Sequence, residues 1–441
     1  MGGRSRSAEG RRVAYVDARL LDPASGLDVP GALLTEGETI ADLGPALFAG
    51  GVPDGIETID CAGRCLAPGL VDMRVQLRDP GEEHKETVES GGRAAAAGGI
   101  TAMACLPNTD PAIDDVAVVE FIARRAREAK LVKIFAYGTV TRGGRGENLT
   151  EMGLLREAGA VGFTDGIRAV ADSRVMRRAL SYAGGVGALV VQHPEDPSLA
   201  RGGAMTEGEL ATRLGIPAIP AVAEVMMVER DLRLVELTGA RYHAAHLSTR
   251  AAIDAVRSAK RRGLPVTCDT APPYFALNET AIGEYRTFAR LSPPLRGDDD
   301  RRAVEAAIAD GTIDAIASDH APQDQDAKRL PFTQAEPGSV GLETLLPVSL
   351  ELYHQGRMGL LDLLARLTSR PAEILGLPLG RLHKGAPADL VLFDLDTPWR
   401  IDADRLLSKS KNSIFDRRPV QGRVVRTVVD GRPVFVAETR S

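Results

Sequence analysis

Long apolar runs are missing from this chain. Nowhere do about 18 apolar residues follow one another, the length a membrane-spanning helix needs, so no membrane span is expected. Positive charge is in slight deficit: 54 Lys and Arg against 60 Asp and Glu leave a formal charge of −6. With a pI near 5.8, neither nucleic acid nor an anionic membrane surface is expected as the main partner. Cysteine is scarce, four in 441 residues. Cys61, Cys65, Cys105 and Cys268 sit in apolar or strand-like segments and read as buried, reduced thiols of a cytoplasmic protein. Cys61 and Cys65 alone are too few for a zinc knuckle. The opening MGGRSRSAEGRR carries basic residues with no apolar stretch behind them, which does not read as a secretory signal.

What is present describes a globular protein with ample core: 44% apolar and 26% charged residues,. The length exceeds one ordinary domain and fits an α/β barrel with an appended domain. Residues 1–10 are expected to form a disordered tail. From Arg11 to about Cys65, short apolar runs are broken by Gly and Pro, as in RRVAYVDARLLD and GALLTEGETIADLG, and read as strands with turns. ADLVLFDLD, GRVVRTVVDG and RPVFVAE behave alike near the other end. Each piece is too small to bury a core alone, so residues 11–65 and 376–441 are expected to share one β-sandwich domain.

Between them, residues 66–375 alternate strand-length apolar runs with Ala-, Leu-, Arg- and Glu-rich helical stretches, the pattern of βα units. The runs are CLAPGLVDMRVQL, GITAMACLPN, KIFAYGTV, AVGFTD, ALVVQHPE, ARYHAAHLS, PVTCDTAP and IDAIASDHAP. KETVESGGRAAAA, DVAVVEFIARRAREA and TRAAIDAVRSAKRRG read as helices between them. This alternation predicts a (β/α)₈ barrel whose strands are buried on both faces. Polar residues collect at the C-terminal ends of the runs: Arg74, Gln76, Arg78, Asn108, Asp165, His193, His246 and Asp319. Barrel enzymes place their chemistry on that rim.

These strand ends carry a family resemblance. PGLVDMRVQLRDPGEEHKET followed by GGITAMACLPNT resembles the opening of bacterial dihydroorotases. So, in collinear order, do QHPEDPSLARGGAMTEGE, AEVMMVERDLRLVELTGARYHAAHLST, SPPLR, ASDHAP, GLETLLP and SKSKN. The likeness runs from about residue 11 to 435 and implies an amidohydrolase barrel that hydrolyses a cyclic amide reversibly in pyrimidine biosynthesis. It further implies one or two zinc ions at the barrel mouth. An H-x-H pair on the first strand holds one metal, and an Asp or carboxylated Lys on the fourth bridges the two. Histidines on the fifth and sixth strands hold the second metal, and an Asp on the eighth binds metal and moves the proton.

Against that pattern the first pair stands here as Arg74-Val75-Gln76. A guanidinium offers only donors and an amide oxygen is a poor zinc ligand, so the first metal position is expected to be lost. Asp165 matches the bridging Asp, with Gly166 where the family usually has a second acidic residue. His193, His246 and Asp319 match the fifth-, sixth- and eighth-strand residues. Arg78 and Asn108 match positions that grip the substrate carboxylate, a task suited to a bidentate Arg. The seventh-strand histidines are replaced in Ala271-Pro272-Pro273-Tyr274, and Gln323 stands for the last His of the D-H-A-P-H motif. His243 and His320 are expected to pack structurally, and His84 to lie on the surface of the first barrel helix. AKRRG near residue 260 reads as a solvated helix end, GDDDRR at 297–302 as a helix start, and GGRGEN as a flexible loop.

Two readings follow. In the first, the chain is a non-catalytic dihydroorotase-like subunit that partners aspartate transcarbamoylase and forms a homo-oligomer, with Arg74 paired to Asp319, Asp165 or both in place of the lost cation. In the second, one Zn²⁺ at Asp165, His193 and His246 activates water and Asp319 is the general acid–base group. It then works as a dihydroorotase or a related cyclic amidohydrolase. Some amidohydrolases that lack the H-x-H pair work with a single metal in this way. Either pocket takes a small cyclic amide or carboxylate.

Overall fold

The computed structural model describes residues 10–438; the tail expected at residues 1–10 lies outside the described residues except for Gly10. The N-terminal strands are β1 (Arg12–Asp22), β2 (Leu27–Glu36), β3 (Thr39–Gly44), β4 (Glu57–Asp60) and β5 (Cys65–Pro68). The barrel strands follow: β6 (Leu70–Val75), β7 (Ile100–Cys105), β8 (Lys133–Ala136) and β9 (Leu189–Gln192). After a short parallel pair, β10 (Met205–Thr206) and β11 (Ala218–Ile219), come β12 (Arg241–Ala244), β13 (Val266–Thr270) and β14 (Ala315–Ile316). The chain ends in β15 (Leu390–Arg400), β16 (Pro419–Val429) and β17 (Arg432–Val436).

Both chain ends meet in one continuous sheet of eight strands, ordered β17-β16-β15-β5-β1-β2-β3, with β4 beside β1. β5 is the junction, parallel to β1 and antiparallel to β15. Its four residues are all buried, as a central strand covered on both faces must be. One face packs Val13, Tyr15, Leu20 and Leu33 against Leu66, Leu390 and Leu392, so neither terminal segment has a core of its own. The sheet is tied to the barrel by Lys133, whose Nζ meets Asp389 at 2.6 Å and Asp430 at 2.8 Å. Gly99 permits the close approach: at φ +82°, a Cβ there would stand 2.7 Å from a methyl of Val391,.

The middle of the chain closes a parallel barrel. β6, β7 and β8 pair in sequence order, as do β9, β12, β13 and β14. The fourth run, AVGFTD, joins through single bridges at Phe163 to Gly138 and to Val190. Val75 bridges His320 and shuts the ring. Residues alternate inward and outward, as a two-residue period requires: Ala102 and Ala104 line the interior with Met73, Tyr137 and Val191, while Met103 and Cys105 meet the outer helices. Small residues suit the interior because the fully buried ring of Tyr137 fills it, its hydroxyl donating to the Met73 carbonyl over 3.0 Å.

The helices start where their caps allow. Thr87 and Ser90 form a capping box ahead of Val88–Ala97,, Asp115 caps Val116–Ala129 and Thr249 caps Arg250–Arg261. Asp298, Asp299 and Asp300 occupy the first turn of Asp298–Ala309, where carboxylates suit the dipole,. Two expectations are corrected. His84 is exposed but lies in the turn before the first barrel helix, because the cap at Thr87 delays the helix start. Lys260 is not simply solvated: its ammonium donates to the Thr312 carbonyl at 2.7 Å and pairs with Asp314. All four cysteines are buried free thiols, and no helix among the described residues is long and apolar enough to cross a membrane.

Candidate active site at the barrel mouth

A cavity of about 460 Å³ opens at the C-terminal ends of the barrel strands. Every rim residue singled out in the sequence lines it except His246, which is buried against His193 with ring centroids 4.9 Å apart. Three of these residues leave their strands in left-handed backbone conformations: Arg78 (φ +61°), His246 (φ +39°) and Asp319 (φ +50°). Non-glycine residues rarely adopt that region, and strain of this kind concentrates at functional sites.

The centre of the site is a continuous chain of polar contacts. Arg74 Nε donates to Asp319 Oδ1 over 2.8 Å. Asp319 Oδ2 stands 3.0 Å from His246 Nδ1, and His246 Nε2 stands 2.7 Å from His193 Nδ1. His193 Nε2 faces Glu195 Oε1 at 3.8 Å. A carboxylate only accepts, so the proton of neutral His246 sits on Nδ1 and its Nε2 accepts from His193. Burial works against ionisation of Asp319, but His246 and Arg74 outweigh it and hold the carboxyl well below its usual range. Burial, reinforced by the nearby charge of Arg74, pushes the His246 imidazole down despite Asp319.

Arg74 is almost wholly enclosed, its side chain 2% exposed. Its Nη2 donates to the Gly166 carbonyl over 3.2 Å, and Nη1 has no partner among the described residues. The expected pairing with Asp319 is therefore present, while Asp165 is engaged elsewhere. Asp165 accepts from the Thr141 amide at 2.9 Å and from the Thr141 hydroxyl at 2.5 Å. Burial raises its pKa even so, against the pull of those bonds.

On the other side of the cavity, Arg78 is held by Glu82 at 2.9 Å and by the Pro322 carbonyl at 3.3 Å. Glu82 also binds Lys85 at 2.5 Å. Asn108 Nδ2 donates to Gln76 Oε1 over 3.0 Å, so Gln76 orients Asn108. Where the family's seventh-strand histidines are absent, Tyr274 is buried, sets its ring edge-on to His246 at 6.5 Å and donates to the Pro293 carbonyl at 2.9 Å. Gln323 anchors the eighth-strand loop through Pro337 at 2.9 Å. His243 is fully buried between Thr267 and Asp269, and His320 between Glu86 and the Gly341 amide; both pack structurally.

The residues present do not fit a metal centre of the expected kind. Arg74 and Gln76 supply no ligand to a first ion. For a second, His193 Nδ1 and His246 Nε2 face each other over 2.7 Å. Asp165, the expected third ligand, is turned to Thr141. Among the described residues no three His, Cys, Asp or Glu side chains converge on a common point. Of the single-zinc set expected from the sequence, His193 and His246 meet, and Asp165 faces Thr141.

One member of the site escaped the sequence reading. Glu195 is held ionised by His193 against its burial, and its Oε2 is buried without a partner among the described residues. Its position two residues after His193 in QHPED was the available signal.

Known proteins resemble this chain along nearly its whole length. A family model described as dihydro-orotase-like matches residues 63–252, and one described as an amidohydrolase family matches residues 285–435. A protein named dihydroorotase from Anaplasma phagocytophilum is 50% identical over 97% of this chain and 96% of its own. Another of that name from Pelobacter propionicus is 47% identical over 95% of this chain and 98% of its own. Among solved structures, the L-hydantoinase (dihydropyrimidinase) of Arthrobacter aurescens superposes with a TM-score of 0.86 at 25% identity, covering 97% of both chains. The dihydropyrimidinase of Brevibacillus agri shares the fold with a TM-score of 0.81 at 21% identity, over 96% of this chain and 94% of its own.

Proposed function

Because this chain belongs to the dihydroorotase family, we propose that it binds a dihydroorotate-like cyclic ureide at the barrel mouth and interconverts it reversibly with its ring-opened acid, ring opening by hydrolysis being the reverse of the ring closure that pyrimidine biosynthesis needs. Relatives bearing the dihydroorotase name span nearly the whole chain. The observation that carries the reading is the Asp319–His246–His193 chain ending in the cavity beside Arg78 and Asn108. In such a reaction a water oxygen bonds to the ring carbonyl carbon, the ring C–N bond breaks, and a proton reaches the departing nitrogen. His193, backed by His246 and the anionic Asp319, is placed to take and return that proton, and Glu195 to stabilise the imidazolium. Arg78 and Asn108 are the groups for the ligand carboxylate. Four buried free thiols support a cytoplasmic setting,.

The test is turnover of dihydroorotate and of its ring-opened product by purified full-length protein, with His193→Gln and Asp319→Asn as controls. Ring opening well above the uncatalysed rate, lost in both variants, is the expected result; no turnover at pH 6 or pH 9 would sink the reading. A second reading is favoured by one observation, the Arg74–Asp319 ion pair where the family holds a metal. It makes the chain a non-catalytic, self-associating partner of aspartate transcarbamoylase. Co-expression followed by size-exclusion chromatography decides it, and transcarbamoylase that assembles and works normally without this chain would exclude it.

A further inference from the structure

We propose that Arg74 is the ligand-gripping cation of this cavity, donating from Nη1 to a carbonyl oxygen of the bound ring, so that the ligand is held without a metal ion. This rests on the cyclic-ureide reading above. The guanidinium spends Nε on Asp319 and Nη2 on the Gly166 carbonyl. Nη1, on a side chain that lines the cavity, is buried and has no partner among the described residues.

A buried donor without an acceptor is destabilising by about 1–3 kcal/mol, and by more when charged. The site therefore favours any ligand that brings an acceptor-only oxygen to that nitrogen. Two features narrow the ligand's chemistry. Arg78 and Asn108 stand at the same cavity and supply the donors for a carboxylate,, which leaves Arg74 to address a second oxygen of the same molecule. The charge of Arg74 is largely balanced by Asp319, so it suits a neutral, polarisable carbonyl better than another full anion. The donor is also fixed before the ligand arrives: Asp319 and Gly166 pin two of the three nitrogens, and a pre-oriented donor in a water-poor site holds a polarised carbonyl more strongly than one in solvent. Position and charge are those that the family gives to its first cation, while the bonding is that of a hydrogen-bond donor.

Calorimetric titration of dihydroorotate into full-length protein tests this, on chelator-treated and zinc-supplemented samples of the wild type, Arg74→Lys and Arg74→Met. Arg74→Lys keeps a positive charge for Asp319 and gives up the second arm, so it separates loss of the donor from loss of the fold, which unfolding midpoints monitor. The expected result is a wild-type affinity that differs by no more than about twofold between the two samples, with both variants weakened by at least about tenfold. Binding that requires zinc, or Arg74→Lys binding as wild type does, overturns the inference and leaves the cyclic-ureide reading standing. No binding by either wild-type sample overturns that reading and this inference with it.

Discussion

Arg74 and Asp319, 245 residues apart in sequence, are joined by a 2.8 Å hydrogen bond that links the first barrel strand to the eighth. Both are enclosed, with side-chain exposures of 2% and 16%. In such a place the pair matters less for its attraction than for the penalty of breaking it. Arg74→Ala should lower unfolding stability by about 3–5 kcal/mol, since Asp319 would be left a buried charge with only a hydrogen bond from neutral His246,. Arg74→Met combined with Asp319→Asn should recover much of that loss, because no unpaired charge then remains. Denaturant unfolding of Arg74→Met, of Asp319→Asn and of the double variant measures the coupling; additive effects would show that the pair is not coupled.

Metal content should turn on the same residue. Arg74→His with Gln76→His restores two imidazoles at the first strand end, removes a fixed positive charge and releases Asp319. The double variant should retain about one zinc per chain after dialysis, a tetrahedral ion with nitrogen and oxygen ligands, where the wild type retains far less. Elemental analysis by mass spectrometry reads this directly. Failure to gain metal would mean that Asp165, fastened to Thr141, excludes the ion independently of Arg74.

The barrel was legible in the sequence because its signal is physical and repeated. An apolar run buried on both faces ends in a polar residue where the strand emerges, and each of those ends except His246 reaches the cavity. The expected loss at Arg74 and Gln76 was legible for a chemical reason, since neither side chain can be an ordinary zinc ligand. Side-chain commitments were not legible. Thr141 lies 24 residues before Asp165, and its competition for the carboxylate depends on rotamers that spacing does not specify. Glu195 read as one more acidic residue in a loop, and only the fold turns it toward His193. The fourth strand, reduced to bridges at Phe163, looked no different in sequence from its neighbours.

Gly166 stands where the family usually carries a second acidic residue, and the fold explains why one cannot simply be reinstated. Its φ is +72°, and a Cβ there would meet the Asn108 side chain at 3.2–3.5 Å. Gly166→Asp should therefore destabilise the protein by about 1–3 kcal/mol through backbone strain. It should also displace Asn108 from Gln76 and weaken carboxylate binding. Comparison with Gly166→Ala separates the two effects: alanine shares the strain and the contact but adds no charge. Equal stability of all three proteins would contradict the argument.

Arg78 is already engaged within the chain, with Glu82 at 2.9 Å. A ligand carboxylate must compete with that internal anion. Glu82→Gln should tighten binding of a carboxylate ligand by roughly three- to tenfold, on the order of 1 kcal/mol, whereas Arg78→Met should weaken it. Lys85, which shares Glu82, limits the gain because its own charge remains. Titration of dihydroorotate into each variant gives the comparison, and unchanged affinity in Glu82→Gln would show that the Arg78–Glu82 pair does not gate the pocket.

Asp72 sets a pH dependence apart from the cavity. It is fully buried, and Oδ1 accepts from the amides of Arg74 at 3.2 Å and Ser318 at 3.1 Å. Its Oδ2 has no partner among the described residues. Burial raises its pKa from 3.8 to about 7, against the opposing hydrogen bonds of Ser318 and Arg74. Between those two values the folded chain holds a proton that the unfolded chain has released, so stability falls as pH rises through the window and levels off above it. The slope from this group is at most about 1.4 kcal/mol per pH unit. Asp72→Asn keeps the acceptor at the position of Oδ1 and cannot ionise, so it should flatten the profile between pH 5 and pH 7 and gain most over the wild type above pH 7. Urea unfolding midpoints at pH 5, 6, 7 and 8 for both proteins check this, and parallel profiles would show that Asp72 ionises alike in the folded and unfolded chains.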